Sequence, residues 1–200
     1  MDFMPFPKIA RLSREVVVTE KIDGTNAQVA ISEPGVIPTE GGLVTASVET
    51  PSGPVALYAG SRSRWITPGK STDNFGFAGW VKENAASLVM LGAGHHFGEW
   101  WGSGIQRGYG LSEKRFSLFN VSRWGDDAVR PACCGIVPVL YEGPFSTEAV
   151  EDAIWALRAH GSLASPGFGN PEGVIVFHTA SRALFKKTLE KDDEPKSLAA

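Results

Sequence analysis

Thiols are nearly absent: the two cysteines, Cys133 and Cys134, are adjacent and do not form the spaced framework of a disulfide scaffold. Neither a C-x-x-C pair nor an H-E-x-x-H motif occurs, which argues against a structural zinc site. No apolar run reaches the ~18 residues needed to cross a bilayer. The opening Met1-Asp2-Phe3-Met4-Pro5 has neither the charged leader nor the apolar core of a signal peptide. A cytoplasmic protein without a membrane partner is the expectation. An excess of positive charge is missing too: the net charge of −3 gives no global pull toward nucleic acid, so such binding requires a local basic patch.

What is present suits a folded chain. Its 200 residues, 42% hydrophobic and 20% charged, can bury a sizeable core as one domain. Pro5 and Pro7 hold an extended lead-in, and the β-branched run Val16-Val17-Val18 marks a strand from Glu15 to Glu20. Alternation predicts a second strand over Thr25–Ser32, and Pro34–Gly42 reads as a loop. Leu43–Val48 and Val55–Ser61 follow as strands joined through Pro51-Ser52-Gly53-Pro54. Asp73 or Asn74 caps a helix expected to run to about Leu91. Strands are expected at His95–Trp101, Phe116–Trp124 and Val137–Glu142. A second helix opens at Ser146 or Thr147, with Glu148, Glu151 and Asp152 in its first turns, and stops near Gly161. Glu172–His178 and Arg182–Thr188 form a closing hairpin, and the tail from Lys191 to Ala200 reads as frayed. Many short strands, two isolated helices and no regular βα alternation imply an α+β fold with mainly antiparallel sheets.

Five segments combine residues suited to chemistry. In Glu20-Lys21-Ile22-Asp23-Gly24-Thr25-Asn26 a strand runs into a tight turn with Lys21 at its mouth. A desolvated lysine, or one beside other cations, becomes a nucleophile, whereas an ordinary surface hairpin would leave it solvated. Arg62 and Arg64 share a face if extended and suit phosphate, or simply line a solvated strand edge. Glu99, between apolar neighbours and glycines, could hold a ribose hydroxyl or a metal-bound water, or be an edge glutamate beside Trp100 and Trp101. Phe119 could stack on a base or belong to the core. In the closing hairpin Glu172 leads one strand while Lys186 and Lys187 end the next, a pairing suited to Mg²⁺ and phosphate or to a surface ion pair.

The order of these segments is more specific than any one of them. Lys-x-Asp-Gly, Ser-Arg-Ser-Arg, Gly-Glu-Trp, Phe-x-Leu-Phe, Glu-Gly-Val-Ile-Val and Phe-Lys-Lys, in succession from about Phe6 to Lys187, resemble the motif series of the covalent nucleotidyltransferases. That superfamily includes DNA ligases, RNA ligases and capping guanylyltransferases. With its Phe-Pro-Lys-Ile lead-in, the chain is most similar to ATP-dependent RNA ligases of the T4 RNA ligase 2 type. The resemblance implies the ATP-grasp-like nucleotidyltransferase fold of ligases and capping enzymes, here as a single minimal adenylation domain over 1–200 with no OB-fold or other C-terminal domain. It implies ATP as substrate, Mg²⁺ or Mn²⁺ as cofactor, and RNA ends, in a nicked duplex or otherwise, as partners. By the same likeness Lys21 attacks the α-phosphate, pyrophosphate leaves, and AMP stays on the lysine. Glu20 falls near the adenine edge and Asn26 near the α-phosphate and its metal water. Arg62 falls on phosphates or ribose, Glu99 on the ribose hydroxyl, and Phe119 against adenine. Glu172 is the acid near the metal and the lysine, while Lys186 and Lys187 fall in the motif that binds the α-phosphate.

Two departures from the pattern stand out. The family's last motif has lysines two apart, whereas Lys186 and Lys187 are adjacent and point oppositely in a regular strand, leaving Lys186 with Thr188 or a bulge. The chain also stops about a dozen residues after that motif. Rival readings are a minimal DNA ligase, since Asp23 also fits that class, a capping guanylyltransferase, and a nucleotide- or RNA-binding module without catalysis. His95-His96 reads as structural or surface histidines rather than metal ligands. Gly104-Ile105-Gln106-Arg107-Gly108-Tyr109-Gly110 reads as a mobile loop, and Arg107, Lys114, Arg115 and Arg123 as a basic patch or scattered charges.

Overall fold

The computed structural model describes residues 1–36, 43–190 and 192, and it has a mixed α+β fold with mostly antiparallel sheets. In chain order the elements are β1 Glu15–Lys21, β2 Thr25–Ile31, β3 Ala46–Val48, β4 Val55–Ser61 and β5 Trp65–Ile66, then α1 Phe77–Glu83 and α2 Ala85–Leu88. After them come β6 Gly94–Gly102, β7 Lys114–Leu118, α3 Val121–Trp124, β8 Cys134–Ile136, β9 Val139–Pro144, α4 Thr147–His160, β10 Gly173–His178 and β11 Ala183–Thr188. The expected loop and tail lie outside the described residues at 37–42, 191 and 193–200. The chain divides into two compact units, Met1–Ile22 with Pro138–Ala200, and Asp23–Val137.

The first unit is a four-stranded antiparallel sheet, in the order β11-β10-β1-β9, with α4 on one face. Val16 and Val18 of β1 and Val174 and Val176 of β10 alternate onto that face. There they meet Val150, Ala153, Ile154 and Leu157, whose 3.6-residue spacing gives α4 its apolar stripe. Ser146 Oγ accepts from the Ala149 N–H at 3.0 Å, and Glu148 in the first turn with Arg158 and His160 in the last match the helix dipole.

The second unit is built on the strand order β3-β4-β2-β6-β7-β8, with β5 also paired to β4. All its pairings are antiparallel except β7 with β8. One face carries Val29, Leu57, Trp100 and Phe116 into a core with Phe77, Val81, Leu88 and Leu91. Phe77 sits 5.1 Å from Phe116 and 5.4 Å from Trp100, ring to ring.

The helix expected to reach Leu91 without a break is interrupted. Asn84 leaves helical geometry at φ −102° and ψ 11° and ends α1, its Nδ2 donating at 2.9 Å to the same Trp80 carbonyl that accepts its N–H. The helix starts at Phe77 with Gly76 in the N-cap position, later than expected, and Asp73 serves it from upstream, its carboxylate accepting from the Ala78 and Gly79 N–H groups at 2.8 and 3.0 Å. The strand expected over Phe116–Trp124 ends at Leu118, because Asn120 Oδ1 accepts from the Arg123 N–H and starts α3. The segment Gly104–Gly110 is not a loose loop: Ile105 and Tyr109 are buried, and Tyr109 meets Trp101 edge-on at 5.0 Å.

His96 belongs to this packing. It is buried, donates from Nε2 to the Gly92 carbonyl at 2.9 Å, and meets the Trp124 ring edge-on. Burial, more than the nearby Arg123 and His95 charges, holds its pKa below the ordinary 6.5, outweighing the Gly92 hydrogen bond. The unfolded chain therefore takes up this proton first on acidification, and stability falls as pH drops from about 6.5 toward the lowered folded value. The urea midpoint should decline across that window in the wild type, and the decline should be smaller in His96→Gln.

Candidate active site

Side chains in a strand alternate between faces, and β1 ends on two candidate site residues that do so. Glu20 points to the α4 side. It is 1% exposed, and its carboxylate accepts from Ser162 Oγ at 2.5 Å and from the Leu163 and Ala164 N–H groups at 2.8 and 2.9 Å. Lys21 then emerges on the opposite face, where Nζ donates to Glu172 Oε2 and the two form an ion pair. The register explains the meeting: Lys21 lies across from Gly173, directly after Glu172, and Gly173 lies across from Thr188. A Cβ at Gly173 would come within 2.2 Å of the Lys187 carbonyl oxygen. Only glycine permits β10 and β11 to approach this closely beside the lysine.

The same register separates the adjacent lysines. Lys186 lies across from Ile175, which lies across from Thr19, so Lys186 and Thr188 share the face of Lys21. Lys187 lies across from Val174 on the α4 side and donates to Glu151 Oε1 at 2.5 Å.

In the second unit a carboxylate organises the turn after the lysine. Glu99 of β6, 7% exposed, accepts from the Gly24 N–H at 3.1 Å and from Asn26 Nδ2 at 3.0 Å, and Asn26 lies across from it in the ladder. Gly24 is needed for approach to β6: a Cβ there would lie 2.5 Å from the Trp100 carbonyl oxygen. Asp23 is held twice, its N–H donating to Tyr109 Oη at 2.8 Å and its carboxylate accepting from Arg107 Nε at 3.0 Å. Sequence reasoning missed this clamp; the signal was an aromatic amid glycines, which read as mobility. Phe119, just past β7, is exposed and its N–H donates to the Phe97 carbonyl at 3.0 Å. Arg62 and Arg64 are exposed in the turn between β4 and β5, where the Arg64 carbonyl accepts from the Ser61 N–H at 2.8 Å, so the pair is not in extended backbone.

Among the described residues, no group of three or more His, Cys, Asp or Glu could hold a metal ion by itself, and no helix is long and apolar enough to cross a membrane. A cation carried mainly by phosphate oxygens needs only one or two protein carboxylates, a demand Glu172 fits.

A family model for RNA ligase matches residues 14–188. No curated protein matches the sequence. Among solved structures, a variant of Naegleria gruberi RNA ligase in its apo form aligns with TM-score 0.57 at 18% identity, over 92% of this chain and 53% of that one. A variant with ATP and manganese gives 0.56 at 18%, over 90% and 51%. Another, with AMP and manganese, gives 0.57 at 18%, over 92% and 53%. The chain thus spans about half the length of these proteins and has their fold over that span.

The two carboxylates of the first unit should behave differently. Glu20→Ala, which strands a buried hydroxyl and two N–H groups, should lower the unfolding free energy by about 3 kcal/mol. Glu172→Gln, at a partly exposed ion pair, should change it by no more than about 1 kcal/mol. Urea titrations followed by far-UV circular dichroism measure both.

Proposed function

The chain belongs to the RNA ligase family, and from that premise we propose that it joins RNA 3′-hydroxyl and 5′-phosphate ends with ATP by way of a lysyl-AMP intermediate. Lys21 Nζ attacks the α-phosphorus, a P–N bond forms and pyrophosphate leaves. The adenylyl group passes to the 5′-phosphate, and attack by the 3′-hydroxyl then forms the phosphodiester and releases AMP.

The arrangement of Lys21, Glu172 and Lys186 in one unit carries this reading. Glu172 orients Nζ through its hydrogen bond, and Lys186 presents a second cation on the same face of the sheet. Lys186 is the better candidate for the α-phosphate, since Lys187 is engaged by Glu151 on the other face; Thr188 occupies the second slot of the motif. Glu20 acts as a positioning residue, its carboxylate being consumed by the loop after α4. In the second unit, Glu99 and Asn26 are proposed for ribose and phosphate, Arg62 for phosphate and Phe119 for adenine. When bound, Mg²⁺ or Mn²⁺ offsets phosphate charge as pyrophosphate leaves, with Glu172 as a protein contact. Manganese accompanies ATP in one of the related structures and AMP in another, which favours this cofactor class.

Intact-protein mass spectrometry after incubation with ATP and Mg²⁺ tests the first step. The wild type should gain one AMP and Lys21→Ala none. Lys186→Ala should slow the gain about 100-fold, while Lys187→Ala stays near wild type; equal losses in the two would overturn the assignment of Lys186. Sealing of matched strands ending in an RNA or a DNA 3′-hydroxyl reads the substrate class.

A further inference from the structure

The face of the second unit's sheet that presents Asn26 and Glu99 continues into a stretch of rings with no place in the chemistry above. Phe97 stands two residues before Glu99 on β6, on the same face, and lies across from Gln28. Gln28 lies across from Gly60, and Gly60 from Trp65. A Cβ at Gly60 would meet Gln28 Cγ at 2.6 Å, so the Gln28 side chain lies over the glycine. His95, two residues further along β6, donates from Nδ1 to Gln28 Oε1 at 3.0 Å. The rings form a chain of contacts: Tyr58 to Trp65 at 5.7 Å, Trp65 to His95 at 6.1 Å and His95 to Phe97 at 6.2 Å between centroids. The last two pairs are near-parallel, with interplanar angles of 28° and 14°. Yet Phe97 is 54% and Trp65 36% exposed.

Rings turned to solvent rather than into the core are a liability unless something covers them. Their surroundings favour an anion-bearing aromatic partner. Arg62 and Arg64 immediately precede Trp65 in an exposed turn, and neither forms an ion pair among the described residues. At the other end Phe97 adjoins Phe119, the ring proposed for adenine. We propose that Trp65, His95 and Phe97 are a stacking platform for unpaired nucleotides of the RNA strand to be sealed, with Arg64 on their phosphates. Bases inside a duplex are already stacked on both sides, whereas unpaired ones offer a free face to an aromatic side chain. This deepens the RNA ligase reading and rests on it for the identity of the nucleic acid.

Fluorescence anisotropy with a labelled RNA oligonucleotide carrying a short unpaired 3′ tail tests the platform on the full chain. Trp65→Ala and Phe97→Ala should each weaken binding about tenfold, while Trp65→Phe and Phe97→Tyr, which keep a ring, should bind like wild type. Adenylylation of Lys21, read by intact mass in the same samples, should be unchanged and reports that the variants are folded. Wild-type RNA affinity in both alanine variants overturns the proposal. Unchanged RNA affinity with loss of self-association in sedimentation also overturns it, assigning the rings to a second copy. If the wild type never gains AMP but RNA binding still falls in the alanine variants, the platform stands and the ligase reading fails.

Discussion

A buried carboxylate decides where the candidate nucleophile points. Glu20 is tied down by a hydroxyl and two backbone N–H groups of the segment that leaves α4. Because neighbouring residues in a strand face opposite ways, sealing Glu20 on the helix side commits Lys21 to the other. Lys186 and Thr188 are on that other face for the same reason, through a ladder that runs unbroken from β1 across β10 to β11, while Glu172, just before β10, reaches Nζ by its own hydrogen bond. The lysine is aimed by a structure that a change in register by one residue would invert.

A second carboxylate plays a comparable part in the other unit. Glu99 takes the Gly24 N–H and the Asn26 amide, so the turn after the lysine is shaped by β6 rather than by its own residues alone. Tyr109 and Arg107 hold Asp23 from a glycine-rich segment. Motif residues thus fix backbone, and side chains outside the motifs, Ser162 and Tyr109 among them, take part in that fixing.

Wherever one interaction dominates, the sequence was readable. The valine run of β1, the alternation in β2, the cap and apolar stripe of α4 and the closing hairpin all appear close to where local pattern puts them. The order of motifs pointed to the family that the match over residues 14–188 identifies. What stayed hidden depended on competition between local choices. The aromatic stretch from Phe116 looks like one strand until Asn120 caps a helix within it, and the run to Leu91 looks like one helix until Asn84 bonds back to Trp80. β5 and β8, two and three residues long, exist only through their partners and leave no periodic trace. The opposite facing of Lys186 and Lys187 followed from strand geometry, but only the Glu151 contact shows which of them is engaged elsewhere.

The second unit, Asp23–Val137, is continuous in sequence and interrupts the first. β1 emerges early from the ribosome, yet both strands that flank it, β9 and β10, are synthesised only after that whole insertion. The contacts that order Lys21 therefore span a long loop whose closure costs entropy and delays them. A chain stalled or cut before residue 138 holds the whole inserted unit, but its Lys21 sits on a strand still waiting for neighbours.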